Sequence, residues 1–145
     1  MRELAEVLHD ELEVVRQLLA VGREEQAALA ADDLAAIQSA TGRKGELARR
    51  LGELEQERLQ VMEKMPGTDN LFQGFSNRTA STTMQVQHYD SSEALRAALR
   101  QAVRELQEVN ETNRFLARQS LAYVQRMLAL LAPEGAAPAL MDRMV

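Results

Sequence analysis

The spacing of apolar residues along the first 65 positions predicts two helices. Over residues 3–30, apolar side chains recur at steps of three and four, the period of a helix with one buried face. They are Leu4, Val7, Leu8, Leu12, Val15, Leu18, Leu19, Ala28 and Leu29. Asp32 and Asp33 interrupt the pattern with the side-chain type that caps a helix start. We therefore predict a second helix over residues 33–65.

Two glycines weaken the second predicted helix. Gly42 and Gly45 lie within it, and each interior glycine costs about 1 kcal/mol relative to alanine. Such a pair indicates either a kink or break, or a place where another helix packs closely. The sequence leaves both explanations open, and Pro66 with Gly67 then ends the helix.

Residues 66–91 differ in composition from the rest of the chain, because Ser, Thr, Asn, Gln and Gly accumulate there. We predict a loop or a short helix over this range, with residues 68–75 as the candidate for one helical turn. The stretch from Thr83 to Tyr89 alternates weakly between polar and apolar positions, which leaves an extended segment or an ordinary loop open.

A third helix is predicted over residues 92–131. Asp90 and Glu93 have the spacing of a capping box, and Pro133 follows the last apolar position. Within this helix an apolar seam alternates steps of four and three, the heptad pattern of coiled coils. The seam comprises Leu95, Leu99, Ala102, Leu106, Val109, Asn113, Leu116, Ser120, Tyr123, Met127 and Leu130. Such a helix is about 60 Å long, which exceeds the width of a small domain.

These elements predict an all-α fold of three long antiparallel helices in a bundle or coiled coil. The composition agrees, since aromatic residues are only 3% of the 145 positions and tryptophan is absent. We expect one domain over residues 1–132 and a flexible tail over 133–145.

Charge and composition exclude several classes of function. The net charge of −5 disfavours nucleic acid, and the absence of cysteine excludes disulfides and thiolate chemistry. No run of about 18 apolar residues suggests a membrane span, and no signal peptide is recognisable, so we expect a cytoplasmic protein.

No catalytic constellation is recognisable, and we expect neither an enzyme nor a bound cofactor or metal. Glu6 and His9 have the spacing of one half of a helical di-metal site. The second half is missing, because the only other histidine, His88, is preceded by Gln85 at the matching position. An exposed histidine on a helix surface is the simpler interpretation of His9.

The polar residues Asn110 and Asn113 are the most informative part of the third helix. Asn113 falls on the apolar seam, where a single asparagine commonly sets helix register at some cost in stability. The alternative is that its amide group binds an incoming helix. Ser120 and Tyr123 also dilute the seam, which suits a surface that is filled and emptied.

With these pieces in place, the chain resembles the FlgN family of flagellar export chaperones. In the first half the resemblance rests on Leu18, Leu19, Glu24, Glu25, Leu29, Asp32, Asp33, Leu34, Ile37, Lys44, Leu47, Leu51, Leu54, Glu55 and Arg58. In the second half it rests on Leu106, Asn110, Asn113, Leu116, Val124, Leu128 and Leu131. The chain departs from the family past Leu131, where the family has a tyrosine associated with the export gate and this sequence has none.

The resemblance implies a chaperone that binds the C-terminal amphipathic segments of the hook-filament junction proteins, FlgK and FlgL, and delivers them to the type III export gate or ATPase complex. The expected partner-binding residues are Leu106, Val109, Asn110, Asn113, Leu116 and Met127. A structural coiled coil that self-associates through the same seam, as a homo-oligomer, is the alternative.

Overall fold

The computed structural model describes the backbone of residues 2–65 and 82–132, and the side chains of residues 2–65 and 92–132. These residues form three helices, α1 (Leu4–Ala30), α2 (Leu34–Lys64) and α3 (Thr82–Leu131), and contain no strand. The all-α prediction is confirmed. The turn predicted at residues 68–75 and the tail over 133–145 lie outside the described residues. None of the three helices combines the length and hydropathy of a membrane span.

The turn between α1 and α2 forms at the predicted aspartates. The Asp33 side chain accepts a hydrogen bond from the Ala36 amide at 3.1 Å and so caps α2. Asp32 has a φ of 51°, in the left-handed region that aspartate tolerates better than most residues. The chain therefore reverses direction within three residues and lays α2 antiparallel to α1.

The first helix is the centre of the bundle, because both other helices pack on it and the backbones of α2 and α3 scarcely approach each other. All nine apolar positions predicted for its face are buried. Glu11, Val14, Val21 and Gly22 are buried as well, since α1 is covered on two sides. By contrast, α2 buries only Ala40, Leu54 and Val61.

Cross-helix contacts give the direction of each helix. Leu4, Val7 and Leu8 cluster with Val61 near the end of α2, whereas Lys44, nearer its start, pairs with Glu25. On the other side, the same α1 residues pack against Leu95 and Leu99 of α3. Later α1 residues meet later α3 residues, so α3 runs parallel to α1 and the bundle is up-down-up.

The prediction that the third helix begins at Ser92 is wrong, and so is the loop prediction for its last ten residues, because α3 begins at Thr82. The capping sequence at Asp90 therefore lies inside the helix. A capping box favours a helix start without preventing a helix from passing through it. The sequence has no glycine or proline between Phe75 and Ala132, and extending an existing helix costs much less than nucleating one.

Neither explanation offered for Gly42 and Gly45, a break in the helix or close packing of another helix, is found in the structure. The second helix passes through Gly42 and Gly45 without a break, and a Cβ at either position would have no atom within 4 Å. The explanation that another helix packs closely at this pair is therefore wrong. The close approach is at Gly22 in α1, where a Cβ would lie 3.1 Å from Cγ1 of Val109 in α3.

We predict opposite effects for alanine at these two kinds of glycine. Gly42→Ala should raise the free energy of unfolding by about 0.5 to 1 kcal/mol, because it improves helix propensity in open space. Gly22→Ala should lower it by about 1 kcal/mol, because the added methyl group presses against Val109 and outweighs the same gain in propensity. Urea unfolding followed by circular dichroism measures both, and a stabilised Gly22→Ala protein would contradict the close approach.

Candidate functional site

The apolar seam of α3 is a packing surface for α1 over most of its length. Leu95 and Leu99 pack on the cluster of buried residues at the start of α1, and Ala102 is itself buried against Leu12 and Val15. Leu106 contacts this second cluster and also the cluster of Val14, Leu18 and Leu54. The first part of the seam therefore belongs to the core of the bundle.

Further along, α1 and α3 come close enough for an amide to bond across the interface. Because Gly22 has no side chain, Asn113 reaches the α1 backbone, and its Nδ2 donates to Gly22 O at 2.8 Å. The same Nδ2 donates to Glu25 Oε1 at 3.0 Å. Asn113 is only 3% exposed, and its Oδ1 has no hydrogen-bond partner among the described residues. The interpretation that Asn113 sets the register of the helices is supported by these bonds.

Lys44 connects α2 to the contact between Glu25 of α1 and Asn113 of α3. Lys44 Nζ donates to Glu25 Oε1 at 3.2 Å and to Asn110 Oδ1 at 3.0 Å. One carboxylate in α1 therefore joins Lys44 of α2 and Asn113 of α3. A partly buried polar network of this kind aligns the helices, since a shift of one turn would break every bond in it.

The seam leaves the bundle at Ser120. Ser120 Oγ and Asp32 Oδ1, 3.5 Å apart, make the last hydrogen bond between α3 and the α1–α2 turn. The helix then continues to Leu131, roughly 16 Å further at about 1.5 Å per residue. Along this part the seam is open, and Tyr123, Met127 and Leu130 are 62%, 40% and 81% exposed.

Exposed large apolar side chains concentrate at this end of α3. Of the eleven among the described residues, eight lie in its last seventeen positions. We call these eight the apolar tip: Phe115, Leu121, Tyr123, Val124, Met127, Leu128, Leu130 and Leu131. Contiguous exposed apolar surface of this kind marks an interaction site, because water contact with it is unfavourable.

The structure divides the six predicted partner-binding residues into two groups. Leu106, Val109, Asn110 and Asn113 make contacts with α1 or α2. Leu116 is half-buried, and Met127 lies in the apolar tip. A role for any of them in partner binding stays a prediction.

Most of the apolar tip was missed by the sequence prediction. Phe115, Leu121, Val124, Leu128 and Leu131 lie off the heptad seam, so the periodicity gave them no weight. The predicted helix lengths contained a signal for the tip. A third helix that is longer than the first extends beyond it, and the extra residues are exposed unless another element covers them.

The candidate metal ligands are not assembled. His9 is exposed, with Nδ1 3.7 Å from Asp10 Oδ1. Within the residues that the structure describes, no three His, Asp or Glu side chains form a cluster able to hold a metal ion. The side chain of His88 lies outside the described part.

The fold and its surface define a class of protein: a three-helix bundle in which the end of one helix is not covered by the other two and exposes large apolar side chains. A family model described as FlgN protein matches residues 1–139, and the chain belongs to the FlgN family, as the resemblance implied. It is therefore a member of a family of flagellar export chaperones, which is not an enzyme family. No curated protein and no solved structure matches the chain.

We predict that the two asparagines of α3 respond differently to the same substitution. Asn113→Asp should lower the free energy of unfolding by about 2 to 4 kcal/mol, because it places a buried carboxylate against the Gly22 carbonyl and the Glu25 carboxylate. Asn110→Asp keeps an acceptor for Lys44 and should change it by less than about 1 kcal/mol. Denaturant unfolding of both variants tests this, and equal losses would contradict the assigned bonds.

Proposed function

We propose that this FlgN family member is a cytoplasmic chaperone for hook-filament junction proteins of the FlgK and FlgL kind. It binds their C-terminal amphipathic segments, prevents premature association, and aids delivery to the export gate or ATPase complex of the type III apparatus. The observation that supports this proposal is the apolar tip, which exposes the continuation of a seam that packs against α1 elsewhere.

The tip suits an amphipathic helix as its ligand. Its side chains lie on a rigid helix, so binding does not require ordering a loop. A partner helix that packs on Met127 and Leu130 would lie on the same seam of α3 that α1 covers nearer the start of that helix. Aliphatic contacts of this kind supply affinity by removing apolar surface from both partners.

Four of the predicted partner-binding residues pack inside the bundle, and we call them the inner residues. They can contact a partner only if the helices separate. Leu106, Val109, Asn110 and Asn113 become accessible only if α3 separates from α1 or from Lys44. Because α1 carries most of the buried core, its displacement would cost much of the stability of the bundle. We therefore propose Leu116 and Met127 as the first residues to contact the partner.

The proposal predicts that truncating the tip weakens binding without affecting the fold. A Met127→Ala, Leu130→Ala variant should bind C-terminal FlgK and FlgL peptides about tenfold more weakly or worse, because it removes two exposed aliphatic contacts. Fluorescence anisotropy measures the affinities, and circular dichroism should show an unchanged melting temperature.

The matched control is Leu34→Ala with Leu59→Ala, which truncates two exposed leucines of α2 outside the tip. This variant should bind as the unaltered protein does. If both variants and the unaltered protein bind the peptides with equal affinity, or if none binds them, the proposed function is wrong.

A disulfide between α1 and α3 tests whether the inner residues take part. The chain has no cysteine, and Gly22 and Val109 are close enough for Gly22→Cys, Val109→Cys to form one specific bond. We expect the oxidised and reduced forms to bind the peptides equally, because the tip is already exposed. Loss of binding on oxidation alone would instead assign the contact to Leu106, Val109, Asn110 and Asn113.

A further inference from the structure

The charge of the last part of α3 is opposite to that of the chain. Between Glu111 and Glu134 the sequence contains three arginines, Arg114, Arg118 and Arg126, and no carboxylate. This segment carries a charge of +3 in a protein whose net charge is −5. The basic residues and the apolar tip therefore occupy the same length of helix.

Within the part of the chain that the structure describes, these arginines also differ from most other cations in having no carboxylate partner. Among the described residues, no carboxylate lies within 4 Å of any of the three. Elsewhere in the described part, ion pairs involve Arg2, Arg23, Arg43, Lys44, Arg49, Arg50, Arg58, Arg96 and Arg100. The positive field of the segment is therefore not neutralised within this part of the chain.

Two of the arginines border a shallow apolar hollow. It is lined by Phe115, Arg118, Gln119, Ala122 and Arg126, and the small Ala122 is four residues from each of the two arginines along the helix. Phe115 is 59% exposed beside it. Arg118 and Arg126 are about 12 Å apart along the helix axis, which is the length of two turns.

We propose that a partner segment bound by α3 is an acidic amphipathic helix, whose apolar side chain enters the hollow at Ala122 and whose carboxylates pair with Arg118 and Arg126. At about 100° per residue, Ala122 lies about 80° around the helix from Leu130 and about 140° from Met127, so this contact uses the face of α3 beside Leu130 and not the line of the seam. The inference rests on the proposed function and adds the charge of the partner to it. Guanidinium groups recognise carboxylates through paired hydrogen bonds, so the contact supplies register as well as attraction.

The charge distribution favours this occupant over two others. A second copy of the chain would bring its own arginines against these three, and like charges oppose that contact. An anionic membrane surface is commonly bound by clusters of four to eight basic residues, whereas this segment has three in a chain that is acidic overall.

The test uses two designed peptides of about 20 residues, long enough to form a helix on a surface. Both have the same leucine stripe, flanked by Glu in one peptide and by Lys in the other. We expect the Glu peptide to bind about tenfold more tightly at about 50 mM salt, and the difference to shrink at about 500 mM salt. The net charge of the protein favours the Lys peptide, so a preference for Glu must come from the local field of α3.

Charge reversal on the protein gives a sharper result. Arg118→Glu with Arg126→Glu should invert the preference between the two peptides. The matched control, Arg16→Glu with Arg104→Glu, changes the net charge equally at two exposed arginines outside the segment and should keep the preference for Glu. Equal behaviour of the two variants would overturn the proposal, and unchanged melting curves confirm that both are folded.

Two further measurements address the other occupants. Sedimentation of the free protein at rising concentration should show a monomer, and a dimer abolished by Arg118→Glu with Arg126→Glu would overturn the proposal. Co-sedimentation with phosphatidylserine vesicles should be weaker than Glu-peptide binding, and the opposite order would also overturn it.

The outcomes separate this inference from the proposed function. Junction-protein peptides that bind equally well to the unaltered protein and to Arg118→Gln with Arg126→Gln would remove the charge inference alone. A Glu-peptide preference without affinity for any junction-protein peptide would remove the proposed function alone.

Discussion

The packing of both α2 and α3 on α1 is the constraint on which the rest of the structure depends. The first helix is apolar on two sides and so holds two neighbours that scarcely touch each other by backbone. Its length then decides which parts of the other helices are buried. Because α1 ends at Ala30, cover for the α3 seam ends near Ser120, and every later seam residue is exposed to water.

A polar network aligns the three helices where this cover is about to end. Asn113 bonds to the α1 backbone, and Lys44 connects Glu25 to Asn110. Apolar seams with a repeating step tolerate a shift by one turn, whereas buried amide and charge contacts do not. The network therefore determines how far α3 extends beyond α1, and with it the position of the apolar tip. The same contacts therefore set both the register of the three helices and the position of the exposed apolar surface.

The end of α3 combines exposed apolar side chains with arginines that pair with no carboxylate among the described residues, and in the proposed function the two features have different roles. Aliphatic surface supplies affinity for almost any amphipathic helix and discriminates little between them. Charge discriminates between partners, because a basic helix is repelled and an acidic one attracted. Under the proposed function, moderate apolar burial combined with a charge match would give selective binding that stays reversible.

The sequence by itself determined the helices, the buried face of α1, the aspartate cap of α2 and the family. These follow from local periodicity and side-chain chemistry, which a single segment carries in full. Only the tertiary structure decided that Gly22, and not Gly42 or Gly45, allows close approach, and that Asn113 is bonded within the chain. It also decided which half of the α3 seam is buried. Burial of a seam residue depends on where the neighbouring helix ends. The apolar pattern of one helix does not show how far a neighbouring helix extends along it.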